Sequence, residues 1–102
     1  MNYVITIEDN EKSQQAADRC IASGRRYGIN VEKWKATTPR DPEFAHKCAS
    51  AKLQESYFEY QYSKKENALA CFLSHRSLWE YSVETNQPVM ILEHDAIFTQ
   101  KI

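Results

Sequence analysis

The chain has 102 residues, a formal net charge of −1 and 42% hydrophobic residues, which suits one domain over residues 1–102 with a modest core. The balanced charge and the lack of a basic run argue against nucleic-acid binding, and no apolar run reaches the roughly 20 residues that span a bilayer. Three widely spaced cysteines lack the spacing of a zinc site or a disulfide framework, so we expect reduced, mostly packed thiols. The N-terminus lacks the pattern of a signal peptide, and a cytoplasmic location is expected.

The first part of the chain predicts a strand followed by a helix. Residues 3–7 are β-branched and aromatic, which is typical of a buried strand. Asp9 or Asn10 is suited to cap a helix, because a short side-chain oxygen can accept an otherwise unpaired backbone N–H. Small and apolar residues continue at helical spacing to about Tyr27, and Gly28 is a natural end for the helix.

The middle of the chain is less regular. Residues 29–36 alternate in polarity, which predicts a second strand near the edge of the sheet, with Trp34 pointing inward. Residues 43–55 predict a short helix after a proline-containing loop. The aromatic segment 57–62 fits either a short strand or an excursion that covers a site.

The last part of the chain predicts a helix and a buried strand. Residues 67–84 form a helical pattern that is apolar around most of its circumference, including Trp79 and Val83, so we expect this helix to be mostly buried. The four apolar residues 89–92 predict a central parallel strand. Residues 96–98 have the composition of a further strand.

This order of elements predicts an α/β fold, a small three-layer parallel sheet with flanking helices and right-handed crossovers. The first strand should lie in the middle, between the second and the third. Residues 8–9 and 93–95 would then face one crevice at the carboxyl ends of the strands, where open α/β sheets bind their ligands.

Glu93 and Asp95 are the candidate metal ligands at this crevice. Carboxylate oxygens bind hard divalent cations, and such a cation can hold a substrate diphosphate and neutralise a departing phosphate group. An isolated acid-x-acid pair is more often a solvated turn. The buried strand that precedes Glu93 is therefore the main reason to favour metal binding. His94 either points away from the crevice or lies beside it as a weaker third ligand.

The late helix contributes three further polar candidates. Ser74 and His75 are predicted either to reach the crevice as a polar pair or to stay away from it. In the second case His75 is a core residue that bonds to a backbone carbonyl. Adjacent helix positions do not face each other, which argues against a nucleophilic Ser–His pair. Arg76 either requires a carboxylate or phosphate partner or extends its aliphatic stem to the surface. The chain lacks a glycine-rich phosphate loop, which disfavours Rossmann-type and P-loop nucleotide sites.

Three segments in order, residues 3–7, 68–79 and 91–96, together resemble the N-terminal half of glycosyltransferase family 25, the lipopolysaccharide-biosynthesis and procollagen-galactosyltransferase type. The family pattern has a helix that carries Leu-Ser-His and a downstream Trp, followed by a strand that ends in Leu-Glu-Asp-Asp-Ala. His94 stands here in place of the middle acid of that strand end. The resemblance implies a GT-A-like fold of the kind that binds nucleotide-diphospho-sugars.

The resemblance also implies a function. It predicts a nucleotide-diphospho-sugar donor, a UDP-sugar in particular, and a glycan acceptor such as lipopolysaccharide. It predicts Mn²⁺ or Mg²⁺ held by Glu93 and Asp95, with Asp95 as the leading ligand. It assigns no catalytic residue. The expected donor-binding residues are Ile7, Glu8, Asp9, Ser74, His75 and Arg76.

Family domains continue beyond the segment that corresponds to residue 102, with the acceptor half and the expected catalytic base. We therefore expect these residues to represent a truncated or minimal domain. Two alternatives to an enzyme stay open: a non-catalytic module that binds sugar nucleotides or metal, and a protein that self-associates through residues 57–62 and an exposed sheet edge. An unpaired edge strand would favour a homodimer.

Overall fold

In a computed structural model, which describes residues 1–50 and 65–99, a parallel three-stranded sheet lies between helices. The strands are β1 (Asn2–Thr6), β2 (Glu32–Lys35) and β3 (Met90–Glu93), and the helices are α1 (Glu11–Arg26), α2 (Phe44–Ser50) and α3 (Lys65–Thr85). The strand order is β2-β1-β3. This confirms the predicted α/β fold, with the first strand in the middle.

The three strands end at the same edge of the sheet. Ile5 in β1 lies beside Trp34 of β2 and beside Glu93 of β3. All three strands run in the same direction, so their carboxyl ends and the loops that follow them meet there. Any ligand-binding crevice of an open α/β sheet is expected at this edge.

Helix α3 covers one face of the sheet. Tyr3 and Ile5 point to this face and are buried against Leu78, in keeping with the alternation of side chains along a strand. The Trp34 ring packs 5.2 Å from the Tyr3 ring, and its Nε1 donates a hydrogen bond to Ser77 Oγ at 2.9 Å. Trp34 therefore points inward, as its sequence pattern predicts.

Helix α1 covers the opposite face, where Val4 is buried against Ala17 and Cys20. The helix begins at an Asn10 cap, whose side-chain oxygen accepts the Ser13 backbone N–H at 2.9 Å. It ends before Gly28, which has a positive φ of 74°, a conformation that glycine adopts at little steric cost. The two helical layers and the sheet make the predicted three layers.

Two predictions about apolar segments are wrong. Residues 96–98 form no strand: a turn closes after β3, where the Ala96 backbone N–H donates to the Glu93 carbonyl at 3.0 Å. Helix α3 is also less buried than its composition suggests, because Trp79 is 47% exposed and Val83 is 82% exposed. Periodicity defines an apolar face of a helix, but it does not say how far the rest of the chain extends to cover that face.

The predicted helix over residues 43–55 corresponds to α2, which is described to Ser50. The remainder of that prediction and the aromatic segment 57–62 lie outside the described residues. None of the helices in residues 1–50 and 65–99 is both long and apolar enough to cross a membrane.

Candidate functional site

A cavity of about 350 Å³ opens at the edge where the strands end. Its walls come from the end of β1, from residues 36–40 after β2, from the first half of α3, and from Glu93 and His94 at the end of β3. This volume lies in the range of small-molecule sites. The cavity therefore occupies the predicted crevice.

His75 and Glu93 meet on the wall of this cavity. The His75 Nε2 lies 2.8 Å from Glu93 Oε1, and the two side chains are 28% and 55% exposed. Helix α3 lies on the face of the sheet above β3, which brings His75 to the strand end. His75 is therefore paired with a carboxylate at the crevice rather than with a backbone carbonyl in the core.

Cys71 lies one helical turn before His75 and joins the same group. One ligand atom from each of Cys71, His75 and Glu93 lies within 4.8 Å of the other two. Cys71 is exposed as a residue, so the expectation of a packed thiol is wrong for it. Desolvation of the thiol and the negative charge of Glu93 raise the pKa of Cys71. A raised pKa disfavours the thiolate, which is the nucleophilic form of cysteine.

His94, which also lines the cavity, contacts Ser13 of α1. The His94 Nδ1 lies 3.1 Å from Ser13 Oγ, and the same Oγ accepts the Ile7 backbone N–H at 2.9 Å. Ser13 is buried, and both contacts are partly buried. A single hydroxyl group therefore connects the end of β1, the start of α1 and the residue after β3.

Ser74 has a connecting role in the wall of the cavity. Its buried Oγ accepts the Thr37 backbone N–H at 2.9 Å and donates to the Ala70 carbonyl at 2.9 Å. These bonds fix the loop after β2 against α3. Because its proton and a lone pair are already engaged, Ser74 shapes the cavity rather than offering a free hydroxyl group.

Only some of the other predicted site residues line the cavity. Ile7 lines the cavity, whereas Glu8 and Asp95 are exposed and lie outside the set of described residues that line it. Arg76 lines a separate depression and pairs with Glu80 of the same helix, with 3.2 Å between Nε and Oε1.

Asp9 forms an ion pair with Arg40 at the rim of the cavity. The guanidinium group donates to both carboxylate oxygens, at 2.8 and 3.3 Å, and Arg40 is one of the residues that line the cavity. The hydrogen bond from Arg40 lowers the pKa of Asp9 below its ordinary value. An arginine at this position could also bind a phosphate group.

We expect Arg40→Ala to raise the pKa of Asp9 toward that of an unpaired aspartate. The folded-state pKa of Asp9 lies below its unfolded value, so the pair stabilises the fold above the unfolded pKa. That contribution is lost as the pH falls through the lowered folded value, and it is small because both groups are exposed. An NMR titration of the Asp9 carboxyl carbon measures the shift, with Arg76→Ala as the control. An unchanged Asp9 pKa in Arg40→Ala would contradict the pairing.

Three residues of the site were missed by the sequence analysis: Ser13, Arg40 and Cys71. Cys71 could have been found, because it precedes His75 by four positions and residues so spaced share a helix face. The other two offer no comparable pattern. Arg40 lies 31 positions from Asp9, and Ser13 lies 81 positions from His94, so both contacts arise only from the fold.

Comparison with protein families agrees with the resemblance of the three sequence segments. Among curated proteins, no match to the chain was found. The family model described as Glycosyltransferase family 25 (LPS biosynthesis protein) matches residues 1–102. The match covers the segments that form β1, α3 and β3, which carry the walls of the cavity. The chain thus belongs to glycosyltransferase family 25.

Proposed function

We propose that the chain forms the donor-binding part of a glycosyltransferase and that the cavity at the strand ends takes a nucleotide-diphospho-sugar, a UDP-sugar in particular. The observation that carries the proposal is the position of the cavity, at the carboxyl edge of a parallel sheet, in a chain of this family. The acceptor would be a glycan such as lipopolysaccharide, and the chain would act in the cytoplasm.

The polar groups of the cavity suit a diphosphate. Arg40 lies on the wall, and its present partner Asp9 is an exposed carboxylate that a phosphate group could replace. His75 and His94 add two ring nitrogens to the lining of the same cavity. The apolar side chain of Ile7 at the end of β1 would pack against the nucleoside, with Glu8 and Asp9 beside the ribose.

The carboxylates of Glu93 and Asp95 are the donor groups proposed for a divalent cation. Glu93 engages one oxygen with His75 and retains the other, while Asp95 is exposed in the turn after β3. Mg²⁺ is commonly bound by one or two carboxylates together with substrate phosphates, so these residues fit Mg²⁺ or the similar Mn²⁺. When bound, such an ion supplies charge neutralisation for a departing nucleoside diphosphate. The residues Glu93 and Asp95 would hold it.

A second candidate function is self-association. Trp79 and Val83 lie one helical turn apart on α3 and are both exposed. Exposed apolar groups of this size are typical of contact surfaces when they are contiguous. A homodimer formed through this face would lie beside the cavity, because the Trp79 ring is 6.3 Å from the ring of His75, which lines it. Sedimentation equilibrium of the wild type and of Trp79→Ser measures dimer formation directly.

The test of donor binding is a calorimetric titration of uridine diphosphate, with and without Mn²⁺. We expect binding that depends on Mn²⁺ and weakens at least about tenfold in Asp95→Ala, since a ligand of the ion is lost. Glu84→Ala is the matched control, because it removes an exposed carboxylate from the far end of α3. Equal binding with and without Mn²⁺, or full binding by Asp95→Ala, would refute the metal assignment.

Catalysis is tested separately from binding. Release of uridine diphosphate from a UDP-sugar in the presence of a glycan acceptor would identify an active transferase. Binding without release would identify a non-catalytic module that binds sugar nucleotides. Neither binding nor release, together with a dimer, would favour self-association as the function.

A further inference from the structure

Three side chains of different chemistry converge on the wall of the cavity. A sulfur of Cys71, a ring nitrogen of His75 and a carboxylate oxygen of Glu93 all lie within 4.8 Å of one another. Cys71 and His75 are four positions apart and share one face of α3, while Glu93 ends β3. This thiol-imidazole-carboxylate group therefore comes from two elements, α3 and β3.

We propose that Cys71, His75 and Glu93 form a binding site for Zn²⁺ or a chemically similar transition-metal ion. Thiolate, imidazole and carboxylate are the three ligand types of protein zinc sites. A tetrahedral zinc ion holds its ligand atoms roughly 3.3–3.6 Å apart, from the usual Zn–S, Zn–N and Zn–O distances. The three atoms already lie within 4.8 Å of one another, close to the spacing that such an ion requires.

The site has the composition of an open zinc site rather than a closed structural one. Three protein ligands leave a fourth position for water or another small ligand. All three residues line the cavity, and Cys71 and Glu93 are exposed. An ion held there is accessible from solvent, and its fourth position would open toward the cavity.

This site differs in chemistry from the one proposed for Mn²⁺ or Mg²⁺. Those ions favour oxygen ligands, whereas sulfur and imidazole favour zinc and its neighbours. The inference does not depend on the proposed function, because it rests on the Cys71, His75 and Glu93 group alone. The two sites share Glu93, so zinc would compete with the donor-associated ion for one carboxylate. Zinc is therefore expected to inhibit Mn²⁺-dependent nucleotide binding.

The test titrates Zn²⁺, and then Co²⁺ as a spectroscopic probe, into the reduced, untagged chain without nucleotide. We expect one equivalent of zinc to bind and cobalt to produce the near-ultraviolet absorption of a thiolate–cobalt bond. Cys71→Ser should abolish that absorption and weaken zinc binding at least tenfold, and His75→Ala should weaken zinc binding by a similar factor. Cys48→Ser and His46→Ala are the matched controls, which keep the proposed ligands and should bind as the wild type does.

Two results would overturn the inference: a wild-type chain that gives no thiolate–cobalt absorption, and a Cys71→Ser chain that binds zinc as tightly as the wild type. Circular dichroism of each variant establishes that a loss of binding is not a loss of fold. The wild-type cobalt spectrum is decisive even where a variant unfolds. Because these titrations contain no nucleotide, their outcome is independent of the uridine diphosphate measurement.

Discussion

Replacement of Leu78 by alanine should destabilise the protein by about 3 kcal/mol, within the range for leucine-to-alanine changes in a core. Leu78 is fully buried and packs with Tyr3 and Ile5 between α3 and the sheet. Its loss removes apolar contacts and leaves a void that neighbours on a rigid sheet can fill only in part. Such a loss is a large share of the roughly 5–15 kcal/mol that stabilises a typical domain.

Chemical unfolding followed by circular dichroism measures the free energy of unfolding of Leu78→Ala. Val83→Ala is the matched control on the same helix, because Val83 is 82% exposed and its truncation should change stability by less than about 0.5 kcal/mol. Equal losses for the two variants would show that α3 does not pack on the sheet through Leu78.

Ser13→Ala should cost about 1 kcal/mol, the low end of the penalty for leaving a buried polar group without its partner, because the hydrogen bond that it removes is only partly buried. The Ile7 backbone N–H donates to the buried Ser13 hydroxyl group, and alanine offers no acceptor in its place. The same change removes the partner of the His94 ring. We therefore expect a loss of stability together with a reorientation of His94 at the wall of the cavity.

Two measurements separate these effects. Chemical unfolding gives the loss of stability, and the ¹⁵N chemical shift of His94 Nδ1 reports the lost contact with the hydroxyl group. Gln15→Ala, an exposed change two positions along α1, should leave both unchanged. A His94 shift that is the same in Ser13→Ala and the wild type would contradict the contact.

The fold was predictable because its patterns are local. Alternation and apolar runs indicated three strands, and helical spacing indicated α1 and α3, with bounds close to those observed. The parallel order followed from the connections between them. One failure is the strand predicted over residues 96–98, which is absent. Another concerns exposure: the composition of α3 favoured burial of Trp79 and Val83, yet no described element covers them.

The site was predictable only in outline. Strand order predicted that residues 8–9 and 93–95 face one crevice. Of these, Glu93 and His94 line the cavity, whereas Glu8, Asp9 and Asp95 are not among the described residues that line it. Which polar groups touch each other depends on side-chain geometry between distant segments, as for His75 with Glu93. Residue types along the chain do not indicate which side chains of two distant elements lie 2.8 Å apart. Such pairs become visible only in the folded structure.

The pairing of β1 with β3 has a consequence for the order in which the molecule assembles. Asn2 lies beside Met90, so the central strand pairs with a strand that follows both α1 and α3 in the chain. Contacts so distant in sequence form slowly, because the chain must close a long loop before they stabilise it. Until then the edge of β1 that receives β3 is open to pairing with other chains. The cavity is complete only once β3 has paired with β1. A ligand that binds only the complete cavity would therefore stabilise the native state relative to late folding intermediates.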